Sequence, residues 1–227
     1  MEKTPNYSVS MTETLKESDL KGIGVDLAET ILDSTLQDGM LKDIPILGSL
    51  VGIGKTASKV KDVLFLKKVL YFINEIKDIS PEEREKIISE IDNSEKYRLK
   101  IGEKLLYIMD KAEDYEKTLL VGKLFRAFLK KEIDYDMFLR GSSVIDKAMT
   151  EDLDWFIIHD WEKLSIEEAG DYINWGLFEI EPLNIKVLED GYDHPNQWEE
   201  KANFKIEGGK LSATITYVGQ RLRKYLR

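Results

Sequence analysis

Apolar side chains recur at spacings of three and four through residues 55–77, at Val63, Leu66, Val69, Leu70, Ile73 and Ile76. Lys67, Lys68, Tyr71 and Glu75 fall on the opposite side, so the spacing predicts an amphipathic helix with a wide apolar face. Ser80-Pro81-Glu82-Glu83 combines an N-cap serine, a proline at the first helical position and a glutamate three residues after the cap, which predicts a second helix reaching about Ile91. Ile101, Leu105, Met109 and Ala112 mark a third helix, and Leu120, Leu124, Ala127 and Phe128 a fourth. The short link at Glu113-Asp114 makes these two an expected antiparallel pair. Asp134 caps a further helix through Met137, Phe138 and Val144. Before residue 44 the pattern is weak; residues 1–43 are expected to be a loose lead-in with one short helix near residues 25–36.

After residue 150 the pattern changes. A helix bearing Leu153, Phe156 and Ile157 leads to a second capping box, Ser165-Ile166-Glu167-Glu168, and a short helix that Gly176 stops. Residues 184–188 alternate like a strand, and residues 202–206 and 211–215 flank Gly208-Gly209 as an expected hairpin. A closing helix is expected over residues 217–226. The expected organisation is a lead-in over 1–43, a helical bundle over 44–149 and a smaller domain over 150–227.

Charge sharpens this division. The 227 residues carry 33 Lys and Arg against 43 Asp and Glu, a formal net charge of −10. Residues 151–200 hold 15 acids and 2 bases, whereas residues 201–227 hold 1 acid and 7 bases. Hydrophobic residues make up 42% of the chain, too many for wholesale disorder. The chain has no cysteine, which excludes a disulfide scaffold, an iron–sulfur protein and a thiol nucleophile and makes a reducing, cytoplasmic compartment the expectation. Residues 1–21 lack the apolar core of a signal peptide. The most apolar window, residues 44–53, is half the length of a spanning helix of about 20 residues and contains Pro45, Gly48 and Gly52.

Trp175-Gly176-Leu177-Phe178, followed by a hairpin and then Ile215-Thr216-Tyr217-Val218-Gly219-Gln220-Arg221-Leu222, resembles the ending of many bacterial winged-helix domains. In those domains a Gly-Leu pair closes the second helix and a Thr-x-x-Gly-x-x-Leu run opens the last. With the element pattern above, the expected fold is mainly α: an N-terminal helical bundle followed by a small α+β winged-helix-like domain, the latter being what the resemblance implies. Residues 44–145, with Pro45-x-x-Gly48, the run Leu64 to Lys68 and the run Gly122 to Ala127, also resemble a family of bacterial helical proteins of similar size. No activity comes with that likeness. Its context is mobile elements and phage defence loci.

Gly48-Ser49-Leu50-Val51-Gly52-Ile53-Gly54-Lys55-Thr56 invites a phosphate-loop reading, with Gly52, Gly54, Lys55 and Thr56 holding the anion. The pattern needs a glycine where Ser49 stands, and residues 57–150 lack the alternating strands of a nucleotide-binding sheet. A glycine-rich turn that lets helices approach is the simpler expectation. The same segment supports an anionic membrane contact through Lys55, Lys59, Lys67 and Lys68, since residues 55–68 carry five lysines and one aspartate. This alternative describes a membrane-acting effector of the abortive-infection type, peripheral at the inner membrane face. Equally, lysines line the solvated edge of any bundle helix.

A winged helix ordinarily suggests DNA, but the helix after Ser165 presents Glu167, Glu168 and Asp171 with no Lys or Arg, so phosphates would be repelled. Nucleic acid is not the expected partner. His159 and His194 stand far apart, outside any metal-ligand spacing, and His159 is expected to pack beside Trp155 and Trp161. No catalytic residue, metal or cofactor is expected. The expected protein is therefore a non-enzymatic adaptor or regulator that binds a basic protein through Trp161, Glu167, Glu168, Asp171 and Trp198, with each tryptophan alternatively a core residue. Oligomeric state is left open.

Overall fold

The computed structural model describes residues 6–23, 43–54, 60–192 and 202–227. The helix expected near residues 25–36 lies outside them. The protein is mainly helical, with ten helices and a small strand-built region among the described residues. Two compact units are present: residues up to Ile158 together with Arg221–Arg227, and His159–Gln220. The boundary expected at residue 150 therefore falls after Ile158, because Leu153, Phe156 and Ile157 are buried in the first unit.

The first unit opens with α1 (Tyr7–Glu17), capped by the Asn6 side chain. Met11 and Leu15 are fully buried, which corrects the loose lead-in. The sequence hid this helix because its buried face carries Thr14 beside Met11 and Leu15 while Val9 is exposed, so the apolar stripe is only two residues long. Next, α2 (Pro45–Gly54) replaces the expected glycine-rich turn. Pro45 sits at its first position, where a missing N–H costs nothing. The buried Thr14 hydroxyl of α1 accepts from Ile46 N at 3.0 Å, capping the new helix from a distance of 32 residues.

The helix expected over 55–77 is α3 (Val60–Ile76), and its apolar stripe faces inward: Leu66, Val69, Leu70, Ile73 and Ile76 are all buried. Five more helices follow in this unit: α4 (Pro81–Asp92), α5 (Ile101–Lys111), α6 (Tyr115–Leu129), α7 (Tyr135–Lys147) and α8 (Thr150–Ile158). The capping box at Ser80 forms, with Glu83 N donating to Ser80 Oγ at 3.3 Å and Ser80 N to Glu83 Oε2 at 3.3 Å. Asp134 caps α7 by accepting from Met137 N at 2.7 Å. The expected pairing of α5 with α6 is not the principal one; α6 packs along α3, and α5 along α1. Phe72, Phe125, Phe128, Tyr135 and Phe138 form one aromatic cluster at the centre of α3, α6 and α7.

The second unit contains β1 (Lys163–Ser165), α9 (Ile166–Asn174), β2 (Phe178–Ile180), β3 (Ile185–Tyr192), β4 (Ala202–Gly208) and β5 (Ser212–Ile215). Residues 217–220 begin α10 (Tyr217–Leu226). The strands form two sheets, an antiparallel β1-β5-β2 sheet and a two-stranded β3-β4 ribbon. The hairpin expected between residues 202–206 and 211–215 is thus corrected. Gly208 and Gly209, at φ +99° and +85°, turn the chain out of the ribbon and into the other sheet. There Ala213 and Ile215 alternate inward with Phe178 and Ala169 in a small buried core.

The Thr-x-x-Gly run has a physical basis. Thr216 Oγ1 accepts from Gly219 N at 3.0 Å and donates to Gly176 O at 2.7 Å, tying the start of α10 to the end of α9. A Cβ at position 219 would lie 2.4 Å from the Leu177 carbonyl oxygen, so only glycine admits this approach.

Candidate functional site

The acidic surface expected of the second unit is built around α9. Ser165, in an extended conformation at φ −65° and ψ 160°, caps the helix by accepting from Glu168 N at 3.2 Å. Glu168 Oε2 in turn accepts from Ser165 N at 3.0 Å and Ser165 Oγ at 2.8 Å. These bonds, the main-chain one first, hold the Glu168 carboxyl below its ordinary value. Glu167, Glu168 and Asp171 are all exposed. Asp171 Oδ1 accepts from Asn174 Nδ2 at 3.1 Å, after a break in helical geometry at Gly170.

No cation stands on α9, and the one near its start is already engaged: Lys163 on β1 pairs with Glu181. Lys163 and then the Ser212 hydroxyl, which donates to Glu181 at 2.7 Å, lower the Glu181 carboxyl pKa. The α9 surface thus remains negative. Carboxylates in the first turn also oppose the positive end of the helix dipole, which is why the sequence can concentrate them there.

The described tryptophans, Trp155, Trp161 and Trp175, are placed less deeply than core packing requires. Trp161 is half-buried and stacked on His159, with centroids 4.2 Å apart and planes at 14°. Trp175 ends α9, half-buried and edge-on to Tyr172 at 5.6 Å. Trp155 is 56% exposed. Trp198 lies outside the described residues, as does His194.

The four lysines of the membrane reading divide differently. Lys55 and Lys59, with Thr56, lie outside the described residues. Lys67 Nζ sits 3.9 Å from the centre of the Tyr115 ring and 5.7 Å from that of Tyr71, a cation–π arrangement between α3 and α6. Lys68 Nζ donates to the Ala112 carbonyl that ends α5. Both cations are turned onto the bundle. The phosphate-loop reading loses its loop, since residues 45–54 are helical through Gly52 and Gly54.

Among the described residues no helix is long and apolar enough to cross a membrane, and no group of three or more His, Asp or Glu side chains is placed to hold a metal ion. Two features escaped the sequence reading. One is Arg84, fully buried among main-chain carbonyls of residues 14 to 18, which no local pattern announces. The other is the exposed apolar side of the β3-β4 ribbon, whose signal was the alternation Ile185-Lys186-Val187 and Lys205-Ile206-Glu207.

Fold and surface together define a mainly helical protein with a small strand-built unit bearing an acidic helix. Comparison with protein-family models, curated proteins and solved structures finds no match to this chain.

A pH prediction follows from the Glu168 bonds. A carboxyl pKa lowered by folding contributes stability that is present above the unfolded-state value and lost as pH falls through the folded one. The melting temperature followed by circular dichroism is therefore expected to fall more steeply on acidification in the wild type than in Glu168→Gln.

Proposed function

We propose that the protein is a non-enzymatic interaction protein, an adaptor or regulator whose second unit engages a basic protein partner through α9. The observation that carries this reading is the exposure of Glu167, Glu168 and Asp171 on a helix with no cation, beside Lys163 already paired with Glu181. Such a surface attracts a basic partner electrostatically and repels phosphates. Half-buried Trp161 and Trp175 supply aromatic area of the kind that anchors interfaces. The β1-β5-β2 strand order, with the ribbon projecting between β2 and β5, supports a winged-helix-like reading in which the ribbon is the wing. Between β1 and β2 stands α9, broken at Gly170. The lack of cysteine suits a reducing, cytoplasmic compartment.

The test is affinity purification from the native host with wild type and with the double variant Glu167→Lys/Asp171→Lys, which leaves the Glu168 cap in place. Basic proteins captured at low salt, released by raised salt and missing from the variant are the expected result. An unchanged set of captured proteins overturns the proposal.

A further inference from the structure

The β3-β4 ribbon is a two-stranded sheet, and among the described residues no third strand pairs with it. Isolated ribbons are marginal in water, and unpaired edges are templates for another strand. One face of this ribbon is apolar and open: Ile185 is 50%, Val187 61% and Ile206 69% exposed. Val187 and Ile206 stand opposite each other across the ribbon.

The direction of the free main-chain groups follows from the register. Gly209 N donates to Asn184 O at 3.3 Å, which makes that pair hydrogen-bonded. Antiparallel pairs alternate, so Ile185/Gly208 is a non-bonded pair, Lys186/Glu207 a bonded one and Val187/Ile206 non-bonded. The N–H and C=O of Ile206 therefore point out of the ribbon, along the free edge of β4. The corresponding edge of β3 is interrupted by a register shift between Glu189 and Tyr192, a device that blunts an edge.

The β4 edge is self-complementary in one register. If two copies pair antiparallel with Ile206 opposite Ile206, Lys205 of each faces Glu207 of the other. Moving the centre to Lys205 or to Glu207 sets two like charges opposite each other, so the neighbouring registers are disfavoured. Lys205 Nζ and Glu207 Oε1 already meet at 2.9 Å within one strand, which places both side chains on the same face. That face is opposite the one carrying Ile206.

We propose that the protein self-associates through the β4 edge, two copies pairing antiparallel about Ile206 to form a four-stranded sheet β3-β4-β4-β3. The pairing adds main-chain hydrogen bonds, two reciprocal Lys205–Glu207 contacts, and the mutual covering of two exposed isoleucines. It does not depend on the acidic surface of α9, and loss of either property leaves the other intact.

The experiment is sedimentation equilibrium of the full chain over a concentration series reaching high micromolar, with three variants. The wild type is expected to show a monomer–dimer equilibrium. Ile206→Pro removes an N–H that the ribbon itself does not use, and is expected to leave only monomer. Lys205→Glu sets two carboxylates opposite each other at both ends of the pairing and is expected to raise the dissociation constant about tenfold or more. The swap Lys205→Glu/Glu207→Lys restores opposite charges across the dyad and is expected to return most of that loss, which a merely misfolded ribbon would not do. A wild type that stays monomeric throughout, a dimer indifferent to Ile206→Pro and Lys205→Glu, or a swap no better than the single reversal each overturns the proposal.

Discussion

Replacing Arg84 with alanine is expected to destabilise the first unit by about 3–5 kcal/mol, measured as the change in urea unfolding free energy. Arg84 has no exposed surface and is the largest fully buried side chain described. Its guanidinium donates to Thr14 O at 3.1 Å, Leu15 O at 2.7 Å and Ser18 O, and its Nε to Ile79 O at 3.1 Å. Three of those carbonyls belong to the end of α1, where the last turn of any helix leaves acceptors without intrahelical partners. Arg84 thus closes α1 from the first turn of α4. Burial lowers its pKa to about 10, which still leaves it charged at neutral pH, and Asp19 and Glu82 oppose the shift. Truncation removes the donors and leaves buried acceptors without partners, a larger penalty than the net worth of the bonds themselves. Arg84→Lys is expected to recover only part of the loss, because an ammonium is compact and lacks the planar fork. A loss below about 1 kcal/mol for the alanine variant would mean that water satisfies those carbonyls.

Phe125→Ala is expected to cost a similar amount, about 3–5 kcal/mol, by a different route. Phe125 is fully buried on α6, with ring centroids 5.4 Å from Phe72 on α3, 5.6 Å from Phe128 and 5.2 Å from Phe138 on α7. It is the member of the aromatic cluster that links all three helices. Alanine leaves a cavity that rings held on three helices cannot close together, and it forfeits the tilted and edge-on ring contacts. Chemical denaturation gives the magnitude, and loss of near-ultraviolet ellipticity in the native baseline reports loosening around the remaining rings. A cost under about 2 kcal/mol would show that the helices collapse onto the gap.

What could be read from the sequence follows the range of the forces involved. The boxes at Ser80 and Ser165 and the Asp134 cap were legible because donor and acceptor lie three residues apart. The inward stripe of α3 was legible because burial imposes its own period. The α2 helix was not, since its proline and glycines read locally as a break, while Thr14 and Ser10 of α1 hold it in place; Ser10 Oγ lies 2.9 Å from Ser49 Oγ. The partner of β5 was equally hidden. Gly208-Gly209 is a fair hairpin signal, but strand choice was decided by the small core that Ala213 and Ile215 enter beside β2.

For the candidate site, residue types were legible and depth was not. Glu167, Glu168 and Asp171 stand on the surface as expected of carboxylates at the start of a helix. Tryptophan carries no such rule, and Trp155 proves more exposed than Trp161 or Trp175. Lys67 and Lys68 looked like a solvated or lipid-facing pair, yet the first meets a tyrosine ring 48 residues on and the second a carbonyl 44 residues on. Contacts at that separation leave no periodic trace.

Central to all of this is α3 as a buried rod whose Lys67 and Lys68 are bound to the bundle, with partner binding proposed for the second unit. Flotation of the intact chain with vesicles rich in anionic lipid tests this most directly. The protein is expected to remain with the unbound fraction at physiological salt. Flotation that disappears when Lys55, Lys59, Lys67 and Lys68 are replaced by glutamate would contradict it.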